Sequence, residues 1–169
     1  DTLTTAQQGE RDAARDAKEE ERLMALERRQ QDALVMFRNI PYVECRVVAA
    51  VQSYEGKETF IAYQIELAVP KDVFQRGSHV VLHRFSKFAS LHEALSKAWS
   101  KQVELPKPPA KRNSIFGGLS EKQVEERRIA LEAYLVHLVA ILNWTVEPNL
   151  RAFFEGDRWL KERRSRHAY

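Results

Sequence analysis

Three short basic segments contain the residues of this chain that are best suited to bind an anion. The first is residues 83–86, His-Arg-Phe-Ser, the second ends in Lys111 after two prolines, and the third contains Arg127. An arginine fork makes paired, charge-assisted hydrogen bonds with phosphate oxygens, a lysine adds a point charge, and an aromatic ring offers a flat apolar wall. Residues of these types suit a phosphate-bearing anion if the fold brings them together; separately, Arg84 and Arg127 are ordinary solvated or ion-paired arginines.

The charge of the chain is unevenly distributed. Residues 1–40 carry seven Lys/Arg and nine Asp/Glu, a net charge of −2, whereas residues 41–169 carry twenty and fifteen, a net charge of +5. This bias suits an anionic partner, either a lipid surface or a nucleic acid. We expect no nucleic-acid partner, because no stacking or groove-reading motif accompanies the charge.

Signals of catalysis and of metal binding are weak. The five histidines lack the close pairing of metal ligands, and the single cysteine, Cys45, has neither a second thiol nor a convincing histidine partner. A lone cysteine also favours a reducing, cytosolic compartment. No apolar run approaches the roughly 20 residues that cross a bilayer. We therefore predict no enzyme, no cofactor and no metal site.

The first part of the chain, residues 1–39, is expected to be helical. From Glu10 to Phe37 there is no Gly or Pro, and strong helix formers dominate. Spacings of three and four residues, typical of a coiled coil, connect Leu23, Leu26, Gln30, Ala33 and Phe37. Three interpretations stay open: the helix pairs two copies as a homodimer, packs on its own domain, or is one end of a longer coiled coil.

The next residues predict a three-stranded sheet. Residues 43–51 and 60–69 are rich in Val, Ile, Tyr and Ala on either side of a turn signal at 54–57, and residues 80–85 form a third such run. The first two runs predict an antiparallel hairpin, and a looser stretch with Pro70 and Gly77 leads into the third run, so we expect a meander.

Helices are expected after this sheet. A helical stripe contains Phe88, Leu91, Leu95 and Trp99, and residues 105–112 form a proline-rich connector. Residues 120–123 have the spacing of a capping box at the start of a long helix, and Pro148 suits the first turn of a last one. The predicted fold is α+β. One domain at 40–156 contains the meander packed against a helical subdomain, the N-terminal helix at 1–39 precedes it, and a basic tail at 157–169 follows it.

The order of these motifs resembles the PX (phox homology) domain. Residues 83–88 are similar to that family's Arg-Tyr/Phe-Ser-x-Phe motif, residues 108–111 to its proline-rich segment with a following lysine, and residues 126–134 to the start of its long helix. The resemblance covers roughly residues 40–156. His83 replaces a frequent second arginine, and Lys87 stands where an acidic residue is common, which leaves the affinity open.

The resemblance implies a phosphoinositide headgroup as ligand. By similarity to the family, Arg84 would bind the 3-phosphate, Ser86 would add a hydroxyl bond, and Phe85 would form the floor under the inositol ring. Arg127 would bind the 4- and 5-hydroxyls, so that a phosphate at either position would crowd it. This pattern favours phosphatidylinositol 3-phosphate.

The connector and the loop after it would contact the membrane. The resemblance assigns the 1-phosphate to Lys111, for which Lys107 and Arg112 compete. Ile115 and Phe116, an apolar pair in a basic loop, are interpreted as a bilayer insertion, with folding back onto the core as the alternative.

The resemblance thus implies a cytoplasmic protein that lies peripherally on endosomal membranes. The chain would recognise phosphatidylinositol 3-phosphate and recruit its parent protein to the membrane surface. The alternative is a PX-like protein-protein interaction module with a vestigial lipid pocket.

Overall fold

The chain forms two compact units with a boundary after Arg38. The structure is a computed structural model that describes residues 4–38, 40–68, 78–112 and 118–158. The first unit contains one helix, α1 (Thr5–Phe37), which confirms the predicted N-terminal helix. The helix begins earlier than Glu10 because the side chain of Gln7 accepts a hydrogen bond from the Thr4 N–H at 3.2 Å, which stabilises its first turn.

The second unit contains the predicted antiparallel meander. Its strands are β1 (Glu44–Glu55), β2 (Glu58–Ala68) and β3 (Ser78–Arg84), in the order β1-β2-β3. β1 and β2 are longer than predicted because a two-residue turn joins them, and its Gly56 adopts a φ of 60°, which glycine tolerates without strain. Burial alternates from Tyr63 to Leu67, as the sequence pattern predicts.

Three helices follow the sheet in the second unit. They are α2 (Phe85–Trp99), α3 (Glu121–Ile141) and α4 (Pro148–Phe153). The predicted capping box begins α3, since the Gln123 N–H donates to Ser120 Oγ at 3.2 Å and the Ser120 N–H donates to Gln123 Oε1 at 2.9 Å. The connector at 105–112 contains neither helix nor strand.

The boundary between β3 and α2 differs from the prediction. We expected Phe85 to end the third strand, but it is the first residue of α2, and Arg84 is the N-cap with extended backbone angles of φ −75° and ψ 157°. The helical stripe of Phe88, Leu91 and Leu95 is fully buried, and its burial outweighs the preference of an aromatic residue for a strand.

The core lies between the sheet and the helices. Tyr63 of β2 packs edge-on against Phe88 of α2 at 6.1 Å between ring centroids, and Phe88 packs edge-on against Phe153 of α4 at 5.2 Å. Such edge-to-face pairs are favourable because the positive ring edge meets the negative ring face. The buried leucines of α3 complete this core: Leu131, Leu135 and Leu138.

A β-bulge in β1 is held by α3. The register shifts between Val47 and Ala49, so one residue of β1 has no partner on β2. The Val47 N–H donates to Glu132 Oε2 at 2.8 Å, and the Val47 carbonyl accepts from Arg128. Glu132 and Arg128 thus satisfy backbone groups of β1, which pairs with β2 on one side and with no other described strand.

Two histidines of β3 hold α4 against the sheet. His83 Nε2 donates to the Phe153 carbonyl at 2.6 Å, and His79 Nε2 donates to the Phe154 carbonyl at 2.8 Å. Because a carbonyl oxygen only accepts, both rings carry a proton on Nε2. Burial lowers the pKa of His83, and Lys87 lowers it further, while the hydrogen bond to Phe153 and the Glu155 carboxylate oppose the shift.

A buried carboxylate also fixes the start of α4. Glu147 is buried and accepts hydrogen bonds from Trp99 Nε1 at 3.2 Å, from Asn149 Nδ2 at 3.1 Å and from the Leu150 N–H at 2.6 Å. The side chain is therefore both the N-cap of α4 and a link between α4 and the end of α2.

We predict that Glu147→Ala lowers the free energy of unfolding by about 3 kcal/mol, because three hydrogen bonds lose a charged, buried acceptor. The matched control is Glu93→Ala, which removes an exposed ion pair with Lys97 and should cost less than about 0.5 kcal/mol. Urea denaturation followed by tryptophan fluorescence measures both losses. Equal losses in the two variants would contradict the assignment.

We also predict a pH effect at His83. A pKa below the ordinary value of about 6.5 means that folding favours the neutral ring, so this stabilisation is complete above that pH and is lost as the pH falls through the folded-state pKa. His83→Gln keeps an N–H donor but cannot be protonated. Between about pH 7.5 and pH 5, its free energy of unfolding should fall less than that of the wild type.

The control for this pH experiment is His137→Gln, which changes an exposed histidine of α3. Denaturation curves at each pH should show that the free energy of unfolding of this variant changes with pH as it does in the wild type. If the free energy of unfolding of His83→Gln also changed with pH as in the wild type, the protonation of His83 would not be coupled to folding.

Candidate anion-binding site

The structure brings together two of the predicted site residues, Arg127 and Phe85. The guanidinium carbon of Arg127, on α3, lies 4.2 Å from the centroid of the Phe85 ring at the start of α2. A cation over an aromatic face is attracted by the ring's quadrupole. This contact connects the long helix to the junction between β3 and α2, which agrees with the expectation that these segments meet.

Arg127 has hydrogen-bonding capacity that its described neighbours do not use. Its Nη2 atom is buried and has no hydrogen-bond partner among the described residues. Within residues 40–68, 78–112 and 118–158, every other arginine forms an ion pair with a carboxylate, namely Arg46, Arg84, Arg112, Arg128, Arg151 and Arg158. Arg127 thus carries a charge that no described carboxylate neutralises, which suits it to bind an anion.

Tyr63 is a neighbour of Arg127 that sequence analysis missed. Its ring is fully buried and its hydroxyl has no hydrogen-bond partner in the described part of the chain. Burial raises the pKa of Tyr63, while the charge of Arg127 and a hydrogen-bonding approach of its side chain lower it, so the two groups are adjacent although no hydrogen bond between them has ideal geometry. The alternation of β2 identified Tyr63 only as a core residue, and nothing in its local sequence indicated Arg127.

The N-terminus of α2 provides further donors. The N-cap of α2, Arg84, forms no side-chain cap and no acidic residue lies in the first turn, whereas Ser120 caps α3 and Glu147 caps α4. The first N–H groups of a helix have no partner within the helix and carry a partial positive charge. Ser86 is exposed in this first turn, so its hydroxyl and the backbone donors share one location.

Arg84 itself is held by the hairpin that joins β1 and β2. Its Nη2 donates to Glu58 Oε1 at 3.2 Å, and its Nη1 lies 3.6 Å from Glu55 Oε2. Its guanidinium carbon lies 4.4 Å from the centroid of the Phe60 ring, and its side chain is 35% exposed. The contacts of Arg84 and Arg127 are therefore different: the hairpin holds the first and Phe85 holds the second.

The proline-rich connector ends beside α3. Arg112 Nη1 lies 3.4 Å from Glu126 Oε2, which ties the connector to the first turns of the helix. Lys107 and Lys111 are exposed and form no ion pair within the described ranges. Of the three candidates for the 1-phosphate, Arg112 is thus the one with a carboxylate partner, and Lys111 stays our prediction. Ile115 and Phe116 lie outside the described residues.

Other kinds of site have no support in the part of the chain that the structure describes. No group of three or more His, Cys, Asp or Glu could hold a metal ion there. Cys45 is buried, and burial together with the Glu132 carboxylate raises its pKa to about 12, which keeps the thiol protonated. None of the described helices has the length and apolar character required to span a membrane.

Comparison with known sequences identifies one domain family. The PX domain family model matches residues 71–157, which is just over half of the chain. Human sorting nexin-2 is 32% identical over 112 residues, which cover 60% of this chain and 21% of the relative. Human sorting nexin-1 is 29% identical over 114 residues, which cover 61% of this chain and 22% of the relative. The matched region is about a fifth of each relative's length.

Comparison with solved structures supports the same fold. An X-ray structure of a designed CISK-PX domain has a TM-score of 0.55 and 23% sequence identity to this chain, and the match covers 65% of this chain and 96% of that one. With both comparisons in agreement, this chain belongs to the PX domain family, a family of non-catalytic modules that bind phosphoinositides and target proteins to membranes.

Proposed function

We propose that this chain binds phosphatidylinositol 3-phosphate and so recruits its parent protein to endosomal membranes from the cytoplasm. The observation that carries this proposal is Arg127, which is stacked at 4.2 Å on Phe85 and forms no ion pair with a carboxylate in the described part of the chain. Phe85 is also the first residue of α2, whose N-terminus lacks a side-chain cap. A fixed cation, an aromatic face and free backbone donors suit a phosphorylated inositol ring.

Each group of the headgroup has a proposed partner in the site. Arg84 and Ser86 bind the 3-phosphate beside the free N–H groups of α2, and the inositol ring lies over Phe85. Arg127 donates to the 4- and 5-hydroxyls. Because stacking on Phe85 and burial restrict Arg127 to one position, a phosphate on either hydroxyl would crowd its guanidinium. The site therefore favours a headgroup with a single ring phosphate at the 3-position.

The membrane contact extends along the connector in this proposal. Lys111 binds the 1-phosphate, since it is exposed and has no ion-pair partner in the described segments. Ile115 and Phe116 insert into the bilayer, a proposal that rests on the sequence alone. A basic residue near an anionic leaflet contributes about 1 kcal/mol, so these contacts add to a headgroup site rather than replace it.

The first test is Arg84→Ala on phosphatidylcholine vesicles with and without a few per cent of phosphatidylinositol 3-phosphate. Loss of paired, charge-assisted hydrogen bonds should weaken binding to the lipid-containing vesicles by about tenfold or more. The control is Arg46→Ala, which removes the same charge from an exposed arginine paired with Glu44 at 3.8 Å, and should change binding by less than about twofold.

Sedimentation of the vesicles measures the bound fraction in this test. Equal binding to both kinds of vesicle, or unchanged binding by Arg84→Ala, would contradict the proposed function. Such a result would favour the protein-interaction alternative.

We also propose that α1 pairs with α1 of a second copy. Every residue from Thr5 to Asp32 is exposed, and Leu23 and Leu26 on the predicted seam are each 53% exposed. A helix in water gains most of its stability from packing an apolar face, and a second copy offers the same seam in register. Pairing would also place two lipid sites on one membrane and raise the avidity of the protein.

Leu23→Gln combined with Leu26→Gln should convert the dimer to a monomer, because both substitutions remove apolar contacts from the seam. Met24→Gln is the control, since Met24 is 62% exposed but lies outside the predicted seam. Light scattering across a wide range of protein concentrations measures the mass. A monomeric wild type at every concentration would contradict the pairing.

A further inference from the structure

The turn between β1 and β2 places two carboxylates directly opposite each other. Glu55 and Glu58 are register partners at the last pair of the hairpin, on either side of the two-residue turn. Like charges at directly opposite positions destabilise a strand pair, so replacing one of the two carboxylates with a neutral side chain would make an isolated hairpin more stable. Both side chains are largely exposed, and Arg84 is the one cation with which they form an ion pair in the described part of the chain.

Arg84 keeps part of its binding capacity in this arrangement. A guanidinium has five N–H donors, and the hydrogen bond to Glu58 uses one of them on Nη2. Glu55 Oε2, at 3.6 Å from Nη1, contributes charge at more than hydrogen-bond distance, and the Phe60 ring covers one face of the guanidinium. A phosphate can therefore still receive donors from Nε and Nη1 while the charge of Arg84 is balanced by the two carboxylates.

This balance affects two kinds of anion differently. A leaflet of singly charged lipids attracts an exposed cation weakly and without fixed geometry, so two carboxylates within ion-pair distance cancel most of that attraction. A phosphate monoester carries more charge and forms paired hydrogen bonds with an arginine fork, and at this position it also meets the uncapped N-terminus of α2. Only the second kind of anion competes well with Glu55 and Glu58.

We propose that Glu55 and Glu58 are specificity-determining residues that prevent Arg84 from binding general anionic membranes. The acidic hairpin reduces the attraction to lipids such as phosphatidylserine and leaves the attraction to a 3-phosphate headgroup largely intact. Discrimination then comes from a repulsive element as well as from the contacts made with the correct lipid. The inference rests on the proposed function, because it assumes that Arg84 contacts a lipid phosphate.

The test compares wild type with the double variant Glu55→Gln, Glu58→Gln on two kinds of phosphatidylcholine vesicle. One kind contains phosphatidylserine and no phosphoinositide, and the other contains phosphatidylinositol 3-phosphate and no phosphatidylserine. Binding to phosphatidylserine should rise by up to about thirtyfold, since each removed carboxylate acts like one basic charge gained near the leaflet and the effects of two such charges multiply. Binding to the phosphoinositide should rise by about twofold. The ratio of phosphoinositide binding to phosphatidylserine binding, which we call the lipid ratio, should therefore fall.

The matched control is the double variant Glu44→Gln, Glu93→Gln. It removes two charges from exposed ion pairs with Arg46 and Lys97, away from the hairpin turn. This control should change the ratio between the two lipids by less than about twofold. Circular dichroism checks that all variants are folded, which is expected because the glutamines relieve a like-charge pair.

The outcomes separate this inference from the proposed function. A wild type that binds the phosphoinositide, together with an unchanged lipid ratio in the Glu55 and Glu58 variant, overturns the inference and leaves the function standing. A ratio that falls equally in the control variant also overturns it, because net charge alone then explains the effect. A wild type without phosphoinositide binding overturns the proposed function itself.

Discussion

The contact between Arg127 and Phe85 is the interaction on which the site depends. It joins α3, which begins at a capping box, to α2, which begins where β3 ends. The next residue along α3, Arg128, donates to the Val47 carbonyl in β1. Adjacent helical residues point about 100° apart, so one helix can use neighbouring arginines for two different surfaces. A one-residue shift in the start of α3 would remove both contacts, which makes the Ser120 cap part of the site.

The bulge in β1 connects this helix to the hairpin that holds Arg84. Arg128 and Glu132 bind the backbone at Val47, and from Ala49 onward the strand is displaced by one residue relative to β2. Side chains alternate along a strand, so such a displacement decides which face each later residue occupies. The two-residue turn sets Glu55 opposite Glu58, and the bulge adapts the rest of β1 to its contact with α3 at the other end of the strand.

Local patterns predicted most of the fold but little of the site's geometry. The helices, the α3 capping box, the proline at the start of α4 and the alternation in β2 each depend on neighbouring residues, so the sequence contains the whole signal. The ion pair between Arg84 and Glu58 joins residues 26 positions apart, and the contact of His83 with Phe153 joins residues 70 apart. No periodicity encodes such contacts. The prediction that Phe85 ends β3 was wrong because the buried stripe of α2 outweighs the strand preference of an aromatic residue.

The pairing of charges in the domain limits how strongly its net positive charge attracts anionic surfaces. Residues 41–169 have a net charge of +5, which would attract any anionic surface. In the described ranges of this region, however, the arginines other than Arg127 all have carboxylate partners, and such pairing reduces their long-range attraction. Exposed lysines such as Lys107 and Lys111 then supply the diffuse attraction, because they lack such partners there. Arg127, fixed over the Phe85 ring, is the arginine whose charge the described carboxylates leave without an ion-pair partner.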